Sequence, residues 1–290
     1  MAKKAEDTSA LCLCAFCLFF LTMSIITLTT DFGTSDEYAG IMKGVILSLT
    51  PSAVIVDITH HINPQDLLQA AYTIYASYRY FPPGTVHVVV VDPTVGSDRK
   101  IIALKIADHT FLAPDNGVLT LLLYQGDIGS IYRIDKASYF LNPVSRTFHG
   151  RDIFAPVAAH LAMGVSLKKL GTPVAQKKII CLSIPQPYLA DNGELVGSIV
   201  SIDRFGNLIT NIHLSDLAKI NKRVTGKKLC IVVGRENIIG LSENYSSVVA
   251  GHPLAIIGSR EYLEISVNGG NAANHFMMEK GDSVRIRKLK

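Results

Sequence analysis

The sequence predicts an α/β fold for the first part of the chain, followed by a smaller part built of β-strands. From Ile25 to about Gly171, apolar segments rich in valine and isoleucine alternate with segments of helical spacing. These apolar segments are nearly continuous, which is typical of parallel strands that are covered on both faces. After residue 190 the helical spacing gives way to short strand-like segments separated by glycine-rich turns.

Each element of the α/β part has its own sequence pattern. The strand-like segments are IITLTTD, AVIVDITH and TVHVVVVD, and the helical ones are EYAGIMKGVILSLTP, QDLLQAAYTIYASYRYF and RDIFAPVAAHLAMG. The segment KIIALKIADHTFLAPDNG is typical of a β-hairpin. We therefore predict an N-terminal α/β domain with a parallel sheet at residues 23–171, a linker at residues 172–190 and an all-β, barrel-like domain at residues 191–290.

Residues 1–22 form an apolar extension in front of the predicted fold. The apolar run that begins at Leu11 is short for a transmembrane helix and resembles the apolar part of a signal peptide. No small-residue cleavage site follows it. We expect the functional chain to begin at Met23 and the protein to be cytoplasmic. The alternatives are export or membrane anchoring through residues 1–22, or a structured helix there.

Composition and cysteine usage narrow the possible classes of protein. Of the 290 residues, 48% are apolar and 18% are charged, which is typical of a globular protein. The net charge of +4 comes without a long lysine or arginine run, so we expect no nucleic-acid partner. The five cysteines include no CxxC pair with histidines at zinc spacing, and an odd number disfavours a disulfide framework. These features favour a reducing compartment.

Each of the first three predicted strands has an apolar run that ends in an aspartate: Asp31 after ITLTT, Asp57 after AVIV and Asp92 after VVVV. The carboxyl ends of parallel strands border the crevice where ligands bind. A single aspartate at such a place is often only a cap, but three along one edge predict a functional rim. Asp31 opens a turn into a helix, and a carboxylate beside backbone amides suits the vicinal hydroxyls of a ribose.

Arg99 and His149 join Asp92 as candidates for reaction chemistry. Arg99 follows Asp92 in the same short loop, and His149 comes just before a predicted helix. Asp92 and Arg99 make either a structural ion pair or part of a reaction site, and His149 alone would equally suit a cap or a surface position. Together the three can hold and deprotonate a water molecule, with Asp92 or His149 taking the proton and Arg99 stabilising negative charge.

A metal-dependent hydrolase is a competing hypothesis. It would use the acidic and imidazole side chains Asp31, Asp57, His60, His61 and Asp92 as ligands. Their spacing matches no metal-binding motif, so we expect no metal site.

The chain also carries a series of segments that occur in the same order in a known family. These are TLTTDFGTSDEYAGIMKG, VDITHHI, FPPGTVHVVVVDPTVGSDRK, APDNGVLT, TFHGRDIFAPVAAHLAMG, SIDRFGNLITNI and GSREYLEISVNGGNAA. On these segments, Met23 to Lys290 resembles the S-adenosylmethionine (SAM) hydroxide adenosyltransferases, which are relatives of the SAM-dependent fluorinases and chlorinases.

The resemblance implies hydrolysis of SAM to adenosine and methionine, with SAM as the substrate and no cofactor. It implies that Asp92, Arg99 and His149 activate the water, and that Asp31 binds the ribose. Because all three residue types of the water-activating set are present, hydroxide rather than halide is the expected nucleophile. A non-catalytic protein that binds SAM or adenosine and a halogenase remain as alternatives.

For the second domain, the resemblance implies contacts to the two ends of SAM. The methionine amino and carboxylate groups are expected near Asp203, Ser259 and Arg260, and the adenine is expected near Phe205 and Asn207. The resemblance further implies a homotrimer in which each site lies between the α/β domain of one subunit and the β domain of its neighbour.

One position departs from the family pattern. The loop after the third strand usually reads DPGVG in the family, whereas this chain has DPTVG. Thr94 in place of glycine is expected either to strain a turn that needs positive φ or to narrow the nucleophile pocket. We expect this to change the rate rather than the type of reaction.

Overall fold

The computed structural model describes residues 24–124, 128–220 and 229–289, apart from the side chains of residues 219 and 220. The predicted extension at residues 1–22 and the predicted start at Met23 lie outside these ranges. Within them, no helix is both long enough and apolar enough to cross a membrane.

The chain forms two compact units that alternate along the sequence. Counting only the described residues, the first consists of those up to residue 65 together with those of 77–115 and 122–179, and the second of residues 66–76, residues 116–121 and those from residue 180 onward. The predicted domain limits at residues 171 and 191 stay a prediction.

The first unit contains a seven-stranded mixed sheet. Its strands are β1 (Ile25–Thr30), β2 (Val54–Thr59), β3 (Val86–Val90), β4 (Ile101–Ile106), β5 (His109–Pro114), β6 (Ile128–Ile134) and β7 (Gly171–Pro173). The order is β2-β1-β3-β5-β4-β6-β7. Strands β2, β1, β3 and β5 are parallel, and β4, β6 and β7 pair antiparallel with their neighbours. The α/β prediction is confirmed, and the β4–β5 hairpin makes the sheet mixed rather than wholly parallel.

Seven α-helices lie within the described residues. They are α1 (Tyr38–Leu49), α2 (Leu67–Ser77), α3 (Thr120–Leu123), α4 (Ala155–Ala162), α5 (Leu167–Leu170), α6 (Leu214–Ile220) and α7 (Ala272–Phe276). Met42 and Ile46 of α1 are one turn apart and pack into the same core as Ile26 and Leu28 of β1. Burying each such side chain stabilises the fold by about 1.5–3 kcal/mol, so this core fixes the strands that carry the candidate site.

A histidine lies in the interior of the first unit. His87 of β3 is 0% exposed, and its Nδ1 lies 2.8 Å from the Thr27 hydroxyl oxygen. Its Nε2 lies 3.2 Å from His109 Nδ1, and its ring stacks on Phe111 at a centroid distance of 4.9 Å. Burial lowers the pKa of His87 to about 3, so the imidazole is neutral in the folded protein.

The second unit contains an antiparallel, nearly closed sheet. Its strands are β8 (Tyr188–Leu189), β9 (Leu195–Ile202), β10 (Leu208–His213), β11 (Leu229–Val233), β12 (Glu236–Ile239), β13 (Pro253–Ile257), β14 (Tyr262–Val267) and β15 (Ser283–Lys288). The order is β12-β11-β15-β9-β10-β14-β13, with β8 beside β9. A bridge between Ser242 and Ile256 brings the two ends of this order together. The barrel-like prediction is confirmed.

Candidate active site

Asp92 and Arg99 form a buried ion pair in the turn after β3. Arg99 Nε donates a hydrogen bond of 2.6 Å to Asp92 Oδ2, and Arg99 Nη2 contacts the same oxygen. The two side chains are only 5% and 6% exposed. Charge-assisted hydrogen bonds of this kind are stronger than neutral ones, and burial removes most solvent screening. The pair therefore holds the turn in one conformation.

Gly96 allows this turn to form. Its φ is +81°, and a Cβ at this position would lie 2.2 Å from the Arg146 carbonyl oxygen. Only glycine combines that conformation with so close an approach of another backbone segment. The turn thus lies directly against the loop that precedes His149.

Thr94 acts through its side chain rather than through backbone strain. In this turn Gly96 has a positive φ and Thr94 does not. The expectation that Thr94 strains the turn is therefore wrong. The Thr94 hydroxyl and backbone N–H instead donate to Asp92 Oδ1, over 3.2 Å and 3.3 Å. Arg99 therefore binds one oxygen of Asp92, while the other oxygen accepts only two long hydrogen bonds.

His149 lies on the other side of Arg99. Arg99 Nη2 is 2.8 Å from His149 Nδ1. Because a guanidinium group only donates, Nδ1 must accept, and the neutral ring then carries its proton on Nε2. Burial and the Arg99 charge lower the pKa of His149, which favours this neutral form. The structure thus brings Asp92, Arg99 and His149 together in one hydrogen-bonded array.

The segment around His149 is fixed by its neighbours. His149 precedes the π-helical turn Gly150–Phe154, which leads into α4. Asp152 is buried in that turn and accepts hydrogen bonds from Arg151 Nε (2.6 Å) and from the Ser145 backbone N–H (2.8 Å). This contact ties the loop before His149 to the helix after it. Sequence reasoning missed this role of Asp152, although Asp152 follows His149 closely in TFHGRD.

Asp31 lies at the same edge of the sheet as Asp92. It directly follows β1, which is parallel to β3, with Thr30 opposite Val90. Asp31 Oδ2 accepts a hydrogen bond of 2.8 Å from the Gln65 backbone N–H. Within the described ranges, Asp31 Oδ1 has no hydrogen-bond partner.

An open cavity of about 390 Å³ lies beside the loop that follows Asp31. Three aromatic rings form part of its wall: Phe148 is 6.0 Å from Phe32 and 5.1 Å from Tyr38, measured between ring centroids. The full lining is Phe32, Glu37, Tyr38, Ile41, Ser145, Thr147, Phe148 and Arg151. The Asp92–Arg99–His149 array does not line this cavity, but Phe148 is the residue next to His149. No pattern in the sequence predicted this aromatic wall.

Asp57 does not belong to the rim. It lies inside β2 rather than at its end, and Lys43 Nζ donates to Asp57 Oδ2 over 2.5 Å. Partial burial would raise the pKa of Asp57, but the hydrogen bonds and charges of Lys43 and His60 together outweigh this effect and the pKa is lowered. His60 Nε2 is 3.0 Å from Asp57 Oδ1. The prediction for Asp57 is wrong, because the carboxylate serves a structural ion pair between α1 and β2.

The ligands of the metal hypothesis are not gathered in one place. Among the residues that the structure describes, no three histidine, cysteine, aspartate or glutamate side chains are positioned to hold a metal ion. The exposed His61 contacts Thr34, with 3.4 Å between Nε2 and the hydroxyl oxygen.

In the second unit, Asp203 shapes the loop between β9 and β10. Asp203 Oδ1 accepts hydrogen bonds of 2.9 Å from the backbone N–H groups of Phe205 and Asn207, and Oδ2 accepts one of 2.9 Å from Asn207 Nδ2. Gly206 completes the loop with a φ of +85°. The loop leaves Phe205 75% exposed, so its ring is accessible to a ligand.

Ser259 and Arg260 lie in the turn between β13 and β14, and both are exposed. Gly258 N–H donates to the Tyr262 carbonyl over 2.9 Å, and Leu214 N–H donates to the Glu261 carbonyl over 2.7 Å. The turn is therefore anchored at both ends, while the two predicted substrate residues remain accessible.

Two family models cover most of the chain. The SAM hydroxide adenosyltransferase N-terminal domain matches residues 26–171, and the SAM hydroxide adenosyltransferase C-terminal domain matches residues 197–285. The chain belongs to the SAM hydroxide adenosyltransferase family. The resemblance predicted from the sequence motifs is thereby confirmed.

Several known proteins and a solved structure are similar to this chain over nearly its whole length. The (R)-S-adenosyl-L-methionine hydrolase of Methanocaldococcus jannaschii is 35% identical over 91% of this chain and 96% of its own length. The fluorinase of Nocardia brasiliensis is 30% identical over 91% of this chain and 96% of its own length. The crystal structure of an uncharacterized conserved protein from Thermotoga maritima has a TM-score of 0.83 at 37% identity, covering 90% of this chain and 99% of that one.

Proposed function

We propose that the protein hydrolyses SAM to adenosine and L-methionine through attack of an activated water on the ribose 5′ carbon. The Asp92–Arg99–His149 array supports this proposal most directly, since it places a carboxylate, a guanidinium and a neutral imidazole in one hydrogen-bonded set. Relatives named (R)-S-adenosyl-L-methionine hydrolase support the substrate.

The proposed reaction makes modest chemical demands. The 5′ carbon is bonded to a positively charged sulfur, which leaves as a neutral thioether with the electron pair of the C–S bond. The enzyme mainly has to hold a water molecule in line behind that carbon and exclude bulk solvent. We propose that neither a metal nor another cofactor takes part.

The hydrogen bonds of the array indicate a role for each residue. His149 accepts from Arg99 through Nδ1 and keeps its proton on Nε2, so it is suited to orient the water by donating to it rather than to act as base. Asp92 Oδ1 faces only two long contacts from Thr94, and we assign it as the proton acceptor. Arg99 stabilises the negative charge that develops on the water oxygen as its proton leaves.

The remaining substrate contacts are proposed on the family resemblance. Asp31 Oδ1 is assigned to a ribose hydroxyl, since the other oxygen is bound by Gln65. Asp203, Ser259 and Arg260 are assigned to the methionine end. Phe205 and Asn207 are assigned to the adenine, and the exposed Phe205 ring supports a stacking role.

We further propose that the protein is a cytoplasmic homotrimer, with each site completed by the β domain of a neighbouring subunit. Multi-angle light scattering on the active preparation tests the assembly. The expected mass is that of three chains, and an active monomer would rule the trimer out.

The reaction is tested by incubating the full chain with SAM and separating the products by chromatography. We expect equimolar adenosine and methionine, with no change when a chelator is added and no 5′-chloro-5′-deoxyadenosine when chloride is added. Loss of activity with chelator would favour the metal-dependent hydrolase, and a halogenated nucleoside would favour a halogenase. Binding of SAM without turnover would favour a non-catalytic protein.

A further inference from the structure

Glu264 is a buried carboxylate that lacks a cationic partner. It lies in β14 and is 8% exposed. Its Oε1 accepts hydrogen bonds from the Tyr245 hydroxyl (2.6 Å) and from the Ser266 hydroxyl (3.0 Å). No lysine or arginine of the described ranges pairs with it. Burying a carboxylate without a cation costs free energy, so its presence calls for a compensating role.

The second oxygen of Glu264 reaches the turn that carries Ser259 and Arg260. A Cβ at Gly258 would lie 2.8 Å from Glu264 Oε2. The absence of a side chain at Gly258 therefore allows the carboxylate to approach the turn directly. The charge of Glu264 thus lies immediately beneath two of the residues predicted to bind the substrate.

Two carboxylates, those of Glu264 and Asp203, affect the phenol of Tyr245. The hydrogen bond to Glu264 is the largest cause that raises the pKa of Tyr245 to about 12, and the negative charge of Asp203 adds to it. The phenol therefore stays protonated and keeps donating to Glu264. Asp203 itself is bound only by backbone N–H groups and by the Asn207 amide within the described residues. Glu264 thus binds the phenol directly and Asp203 acts on it through its charge, and neither carboxylate has a lysine or arginine partner within the described ranges.

We propose that Glu264, held by Tyr245, is a specificity-determining residue for the amino-acid end of the substrate. Together with Asp203 it supplies negative charge that favours a ligand carrying an α-ammonium group. This inference rests on the proposed function, because the amino-acid end of SAM, which carries the cationic α-ammonium group beside its carboxylate, is assigned to this part of the second unit. A purely structural role would require only hydrogen-bond acceptors at position 264, whereas the proposed role requires the charge.

The substitution Glu264→Gln separates these roles, because glutamine keeps the shape and an acceptor oxygen but loses the charge. The measurements are kcat and KM for SAM, and the inhibition constants of two compounds that lack the amino-acid end. 5′-Methylthioadenosine is a neutral thioether, and its S-methylated sulfonium derivative keeps the positive charge on sulfur that SAM has. We expect the KM for SAM to rise about tenfold, as the loss of one buried charge interaction predicts, with kcat and both inhibition constants changed by less than about twofold.

Glu261→Gln is the matched control. Glu261 is on the same hairpin, but its side chain is 68% exposed and contacts His213. Because solvent screens an exposed charge, this variant should keep the wild-type KM for SAM.

Tyr245→Phe is a second test that does not depend on the folding of Glu264→Gln. It should raise the KM for SAM about threefold and leave inhibition by 5′-methylthioadenosine unchanged, because the carboxylate loses one of its two hydroxyl donors.

The inference is wrong if Glu264→Gln leaves the KM for SAM unchanged, or if it weakens the binding of SAM and of either inhibitor equally. In either case, turnover of SAM by the wild-type protein would leave the proposed function intact. If the wild-type protein neither bound nor hydrolysed SAM, both proposals would fail together.

Discussion

Arg99 is the residue on which the candidate active site depends, because it donates to both other members of the array. Its contact with Asp92 Oδ2 leaves Oδ1 facing only weak donors, and its contact with His149 Nδ1 fixes the tautomer of that ring. A single side chain therefore fixes the hydrogen bonding of both other members of the array.

Asp92→Asn tests the assignment of the base. The amide keeps the shape of the carboxylate but cannot take the proton, so kcat should fall by about 10²- to 10⁴-fold while SAM binding persists in calorimetry. Asp98→Asn is the matched control, because Asp98 is an exposed carboxylate in the same loop. Wild-type kcat in the Asp92 variant would remove that residue from the mechanism.

Thr94→Ala tests how the departure from the family loop affects rate. Removing the hydroxyl takes one donor away from Asp92 Oδ1, which makes that oxygen a better proton acceptor. We expect kcat to rise about twofold to fivefold, on the scale of one weak hydrogen bond. Thr94→Ser keeps the hydroxyl and should behave like the wild type. Equal kcat values for the alanine and serine variants would exclude a role for the hydroxyl.

At the scale of elements, the turn after β3 depends on glycine at position 96. Gly96→Ala should lower the free energy of unfolding by about 1–3 kcal/mol for the positive φ, with a further loss from the clash with the Arg146 carbonyl. Gly164→Ala is the control, because Gly164 has a similar φ of +84° and open space around it. Urea unfolding compares the two, and an equal loss would show that the close contact is unimportant.

Most elements of the first unit could be predicted because their periodicity is strong. The helical spacing of α1 and the apolar run of β3 each reflect what the side chains pack against. Asp57 was placed wrongly, because β2 continues past it to Thr59 and sequence alone does not mark where a strand ends. The short helices α6 and α7 were missed, since five to seven residues do not establish a helical period.

The candidate site could be predicted only in part, because some of its contacts join residues that are far apart in the sequence. Asp92 and Arg99 lie in one loop, so their pairing follows from short spacing. The Tyr245–Glu264 contact joins residues from separate elements, and a glutamate between apolar neighbours in a strand is ordinarily expected to face solvent. That expectation fails here because the carboxylate of Glu264 is buried under the turn at Gly258.

At the scale of the whole molecule, the buried His87 makes stability depend on pH. The unfolded chain binds a proton near the ordinary pKa of 6.5, whereas folded His87 does so only near 3. Between these values the unfolded state binds more protons, so stability falls as the pH falls, by about 1.4 kcal/mol per pH unit for one group.

Unfolding by urea at several values between pH 4 and pH 6.5 measures this slope. His87→Gln should flatten it, because the titrating group is gone, whereas the exposed His61→Gln should leave it unchanged. The same slope in wild type and His87→Gln would assign the acid sensitivity to other groups.

In the proposed reaction, water attacks the 5′ carbon of SAM. Its most direct test is incubation of the protein with SAM in water labelled with oxygen-18, followed by mass spectrometry of the products. We predict methionine without label and adenosine with one labelled oxygen, located on the 5′ carbon by fragmentation. Adenosine without label, or SAM that remains intact although it is bound, would rule out attack of water on the 5′ carbon.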